Sequence, residues 1–174
     1  MRKLILVVFA AMLALPALAV AGSPPSPADK AAAVKQCSSE RTAMGAAPFK
    51  ALYGTNASKS NAFGKCVSAN AQKNEQDRSN AAAACRAERS ADAAAFAAKY
   101  GKGPNHDGAF GKCVSAKAKE AAAARVQATV NAAKACWAER KPDPAAFKAK
   151  YGTNADKSNA FGKCVSGKVK HSSS

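Results

Sequence analysis

The sequence predicts an all-α protein built from three tandem, disulfide-stapled helical units. Three observations carry that reading. A sixteen-residue stretch recurs: Tyr53–Ser68 (YGTNASKSNAFGKCVS) and Tyr151–Ser166 (YGTNADKSNAFGKCVS) differ only at Ser58 against Asp156. A looser copy, Tyr100–Ser115 (YGKGPNHDGAFGKCVS), keeps nine of the sixteen positions. Each copy follows a Cys-x-x-Glu-Arg element, at Cys37/Glu40/Arg41, Cys85/Glu88/Arg89 and Cys136/Glu139/Arg140, so every unit owns two cysteines. Finally, the segments between copies are runs of alanine, lysine, glutamate and arginine, such as Ala116–Arg140, whose residues have high helix propensity.

In chain order, Arg2 and Lys3 precede an apolar run, Leu4–Leu15, then Pro16 and small residues in A-x-A spacing. That is the pattern of an export signal, read here as residues 1–21 with cleavage after Ala21. Residues 22–28, rich in proline and serine, read as an extended spacer. Without the signal the chain carries 25 basic and 11 acidic residues, and 19 of the basic ones are lysines. A balance of +14 favours polyanionic partners. Leu, Ile, Val and Phe together supply only 14 of the 153 mature residues, far below the roughly 20% at which highly charged chains begin to fold unaided. The six cysteines must therefore contribute what a large core cannot. Their even number fits an oxidising compartment, and a secreted or envelope location is expected.

The units are read as residues 29–68, 69–115 and 116–166, followed by a flexible basic and serine-rich tail over 167–174. In each, a short helix bears a Phe–Tyr pair four residues apart: Phe49/Tyr53, Phe96/Tyr100 and Phe147/Tyr151. The third should begin after Pro142-Asp143-Pro144 and stop at Gly152, a candidate left-handed C-cap. Ser158 or Asn159 then caps the next helix, as do Ser60 or Asn61 in the first copy and Asp107 in the second. Beyond the cap, Phe161, Cys164 and Val165 share one helical face. Along the longest run, Val114, Ala118, Ala122, Val126, Val130, Ala133 and Trp137 step by three and four, tracing one apolar stripe. Gln72–Arg78 is almost wholly polar, but it contains neither Pro nor Gly, so the helix is expected to run through residues 69–80.

Helix continuity also selects the disulfides. If residues 63–89 form one helix, Cys66 and Cys85 stand about 28 Å apart, beyond the reach of a disulfide. The same argument separates Cys113 from Cys136. Pairing within units is then simplest: Cys37–Cys66, Cys85–Cys113 and Cys136–Cys164. Each closes a loop of about 28 residues and contributes roughly 3.5 kcal/mol in the chain-entropy model.

Catalytic and metal-binding patterns are weak. The two histidines, His106 and His171, do not recur, and no Ser–His–carboxylate set forms from repeated positions. Glu40, Glu88 and Glu139 each precede an arginine, which reads as an ion pair near a helix end. Metal spacings such as C-x-x-C are missing, the Thr153–Asn159 loop has too few carboxylates for calcium, and Gly162-Lys163 lacks the frame of a P-loop. No enzyme, cofactor or metal is expected. The positive loops are the best functional signal. Lys59 and Lys65, Lys157 and Lys163, and Lys112 lie near helix starts, where free N–H groups favour anions. Three such sites on one scaffold would bind a polymer multivalently.

The Cys-x-x-Glu-Arg … Tyr-Gly-Thr-Asn … Lys-Ser-Asn-Ala-Phe-Gly-Lys-Cys pattern resembles a repeat of uncharacterised exported bacterial proteins. The similarity covers about Cys37–Ser68, Cys85–Ser115 and Cys136–Ser166. The second copy departs from it at Lys102–Gly108. The resemblance implies export and repetition and carries no activity to transfer. The expected protein is an exported structural or interaction module for anionic envelope polymers, its units arranged as a short solenoid or a bundle. The alternatives are a secreted nucleic-acid or anionic-lipid binder, and then an enzyme. No integral membrane segment is expected after signal removal.

Overall fold

A computed structural model describes residues 24–103 and 105–172. The expected export signal lies outside the described residues. Helix α1 (Pro27–Met44) begins inside the stretch read as spacer. Ser26 and Asp29 form a reciprocal capping box: Ser26 Oγ accepts from the Asp29 amide at 3.2 Å, and the Ser26 amide donates to the Asp29 carboxylate at 2.9 Å. Pro27 costs nothing at the first helical position, where its missing N–H has no partner to lose.

Six further helices follow among the described residues. The short ones are α2 (Ala46–Tyr53), α4 (Ala93–Tyr100) and α6 (Pro144–Tyr151); the long ones are α3 (Ala62–Ala91) and α5 (Ala109–Arg140). The last, α7 (Ala160–Ser172), carries helix through residues 167–172, where the composition suggests a tail. Helix α3 crosses the polar Gln72–Arg78 section unbroken, as expected. At about 1.5 Å per residue it is roughly 45 Å long. Asp92 and Asp143 cap α4 and α6, their carboxylates accepting from the Ala95 amide and from the Ala145 and Ala146 amides.

All three bridges are those selected by helix continuity: Cys37–Cys66, Cys85–Cys113 and Cys136–Cys164, with Cα atoms 6.0, 6.1 and 6.1 Å apart. They fold each long helix back along its neighbour. Thus α3 returns along α1, where the Asn74 side chain donates to the Asp29 carbonyl, and α5 returns along α3, where Arg125 reaches Asn70 and Asn74.

The core shows how the units combine. Phe49, Met44 and the first bridge from unit one join Val130, Ala133, Phe147, Phe161, Val165 and the third bridge in one buried cluster. Unit two keeps a separate, smaller cluster: its bridge and Phe96, with Tyr100, Phe110 and Val114 packed around them. A solenoid would stack unit one on two and two on three. Here units one and three share a core and unit two occupies the far end of the α3–α5 pair, so the arrangement is a bundle. No member of the predicted apolar stripe of α5 is exposed, and its Ala122, Val130 and Ala133 are buried.

The repeated loop differs from expectation in its chemistry. Gly152 is not left-handed: its φ is −73°, and the equivalent loop position that is positive in all three copies is held by Lys59 (57°), His106 (53°) and Lys157 (56°). Glycine is required at 152 because a Cβ there would lie 2.7 Å from both the Lys148 carbonyl and the Lys157 side chain. Asn61 and Asn159 do not cap the following helices with their side chains either. Each turns back onto the loop threonine, accepting from the Thr55 or Thr153 amide at 3.0 Å and donating to its hydroxyl at 2.7 and 2.8 Å. In the second copy Gly108, left-handed at φ 69°, stands at the N-cap in place of Asp107.

Candidate functional site

Two recurring arrangements concentrate polar chemistry. The first is a clasp between the Glu of each Cys-x-x-Glu-Arg element and the Tyr that ends the short helix of the same unit. Tyr151 donates to Glu139 at 2.8 and 3.0 Å, Tyr100 to Glu88 at 3.2 and 3.3 Å, and Tyr53 to Glu40 at 2.5 Å. The expected Glu–Arg pairs are not what the glutamates form. Arg89 and Arg140 instead lie over the Phe110 and Trp137 rings, each 5.2 Å from the centroid. The 12- or 13-residue spacing of Glu and Tyr recurs in every copy, and that was the available signal.

Unit one departs from the other two inside this clasp. Glu88 is held by Lys99 at 2.7 Å and Lys117 at 3.3 Å; Glu139 by Lys150 at 2.7 Å and Lys168 at 3.5 Å. The equivalent positions in unit one are Leu52 and Asn70, so Glu40 has neither lysine. It is 1% exposed, and it accepts from Asn70 as well as Tyr53. Burial pushes its carboxyl above the ordinary carboxylate range, against the pull of those hydrogen bonds and of the Arg125 and Lys73 charges. Burial and the facing Glu40 push the Tyr53 phenol up as well. In the other units, the hydrogen bonds from Lys99 and Lys150 lead the effects that hold Glu88 and Glu139 below the usual value. Arg125, reaching over from α5, joins the network by bonding Asn70, Asn74 at 2.8 Å and Asp77 at 3.0 Å.

The second arrangement involves the five lysines singled out from the sequence. Lys59 Nζ donates to the Gly54 carbonyl at 2.8 Å, Lys157 Nζ to the Gly152 carbonyl at 3.0 Å, and Lys112 Nζ to the Asp107 carbonyl at 2.8 Å. For Lys59 and Lys157 these are contacts at the C-terminal ends of α2 and α6, where a cation complements the partial negative charge. Each ammonium keeps two further donors. Lys65 and Lys163 are exposed on the first turns of α3 and α7.

The packing of unit one on unit three brings only some of these together. A groove of about 870 Å³ runs between the first loop and α7, lined by Thr55, Lys59, Ser158, Lys163, Ser166 and Lys170 among others, with no carboxylate. Lys65, Lys112 and Lys157 lie outside it. Lys170, inside the 167–174 stretch whose composition suggests a tail, escapes sequence reasoning because that stretch gives no helical signal of its own. Gly162 and Gly167 form part of the floor, and nothing lies within 4 Å of where a Cβ would stand on either. The equivalents of Gly167 are Ala69 and Ala116, so this glycine belongs to unit three alone.

His106 and His171 are both exposed, on the second loop and on α7. Among the described residues no group of three or more His, Cys, Asp or Glu is placed to hold a metal ion, and no helix is long and apolar enough to cross a membrane. Comparisons with family models, curated proteins and solved structures return no match.

Proposed function

We propose that this protein is an exported, non-enzymatic interaction module that binds anionic cell-envelope polymers in the groove between units one and three. The observation that carries the reading is the convergence of Lys59, Lys163 and Lys170, from two repeats, on one carboxylate-free groove. Two further features support it. Hydroxyls of Thr55, Ser158 and Ser166 line the same path and can donate to phosphate or carboxylate oxygens. Gly167, which is alanine in the other two copies, costs helix stability without any packing return, as expected where a ligand passes close to backbone. Three buried disulfides suit an oxidising environment.

The test is retention of the oxidised protein on an immobilised phosphate-rich wall polymer at rising salt. Lys163→Glu with Lys170→Glu should weaken binding at least tenfold and flatten its salt dependence. Lys134→Glu with Lys141→Glu, an equal charge change on residues outside the groove, should cost much less. Equal losses in both variants would reduce the charge to a general surface property. Tighter binding of DNA or anionic vesicles than of the wall polymer would point to the other polyanions.

A further inference from the structure

A second groove, separate from the lysine surface, opens between α1 and α5 above α3, with a volume of about 590 Å³. That is within the range of small-ligand sites. Its walls are made by small aliphatic side chains, Ala28 and Ala32 from α1 and Ala118, Ala122 and Val126 from α5, and no aromatic residue lines it. The stretch of α5 from Ser115 to Gln127 that forms one wall is about 18 Å long. Such a slot suits a flexible aliphatic chain better than a ring system.

The polar groups indicate the sign of the ligand. Asp29, the only carboxylate among the lining residues, is already matched by Arg78 at 3.4 Å. Lys35 on one wall and Lys119 on the other are exposed and add two positive charges to the rim. The floor is fixed rather than adaptable. Asn74 is 7% exposed; its amide donates to the Asp29 carbonyl at 3.1 Å, and its oxygen accepts from Gln36 at 3.0 Å and Arg125 at 2.8 Å. A preformed apolar slot with a cationic rim has the complement of one ligand class.

We propose that the α1–α5 groove binds a single-chain anionic amphiphile, taken up as a monomer from solution, with its aliphatic tail on the alanine walls and its head group at Lys35 and Lys119. This site does not depend on polymer binding at units one and three.

The experiment is calorimetric titration of the oxidised protein with dodecanoate below its micelle concentration, with dodecyltrimethylammonium as the cationic counterpart. Dodecanoate should bind at one site per chain, at least tenfold tighter than the cation. Ala32→Trp and, from the opposite wall, Ala123→Trp replace exposed residues and should each weaken dodecanoate at least tenfold while leaving helical content unchanged. Lys35→Glu with Lys119→Glu should reverse the preference between the two amphiphiles. Absence of saturable binding, equal affinity for both amphiphiles, or full affinity in both tryptophan variants would each overturn the assignment.

Discussion

At the scale of single residues, the three units act as internal controls for one another. The Glu–Tyr clasp is common to all three, but the lysines around it are not. In units two and three they make the glutamate a half-buried, cation-held group; in unit one Leu52 and Asn70 leave Glu40 buried against Tyr53. The consequences for pH have opposite signs. The Glu40 carboxyl titrates above its ordinary value of 4.5 in the folded chain, so its ionisation costs stability. That cost is absent below 4.5, develops as pH rises towards the folded value, and is complete above it. Glu88 and Glu139 titrate below 4.5 when folded; their contribution is present above 4.5 and is lost as pH falls through the folded value. Glu40→Gln should thus be close to neutral at pH 3.5 and gain on the native protein as pH rises to 8, by on the order of 1 kcal/mol once the buried charge is gone. Urea unfolding across that range measures it, and a native protein that gains on the variant with rising pH would contradict the account. Little of this was legible in the chain, because Glu and Tyr are joined only by the reversal between a long helix and a short one. The positive φ at Lys59 and Lys157 was hidden for a related reason: glycine is the usual left-handed residue, yet here Gly54 and Gly152 are used for close approach.

At the scale of elements, the cysteine pairing and the continuity of α3 could be reasoned out together, since one long helix rules out the sequential pairing. What the bridges do differs between units. Units one and three share a core that includes two bridges and five buried aromatic or branched side chains, Phe49, Val130, Phe147, Phe161 and Val165. The corresponding cluster of unit two holds one bridge and Phe96. Replacing Cys85 and Cys113 by alanine should cost about 3 kcal/mol and concentrate the loss locally. Hydrogen exchange should accelerate in α4 and the adjoining ends of α3 and α5, while α2, α6 and α7 stay protected. Uniform acceleration over all the described helices would show that unit two is no separate cooperative unit. Helix α7 offers a complementary test. Gly167→Ala meets no atom within 4 Å and should stabilise the protein by about 0.5–1 kcal/mol in thermal unfolding, while polymer binding weakens. Stabilisation with undiminished binding would remove the glycine from the functional argument.

At the scale of the whole molecule, repetition alone left a solenoid and a bundle equally open. The repeated residues build each unit, and the association of units adds Val130 of α5 to repeated aromatic and cysteine positions of the first and third units, so it depends on where two long antiparallel helices bring those units. That geometry brings the first and third loops to one groove, while the second loop belongs to the unit with its own separate cluster. The lysines were legible as a set, but their division between loop structure and groove was not, since it depends on which units meet. The central claim is that units one and three together form the polymer-binding surface. Backbone amide shifts of the oxidised protein, followed while a short phosphate-rich oligomer is titrated in, test it most directly. The account predicts concerted changes over residues 54–59 and 158–170, with residues 101–108 silent. Equal changes in all three loops, or changes confined to one, would contradict it.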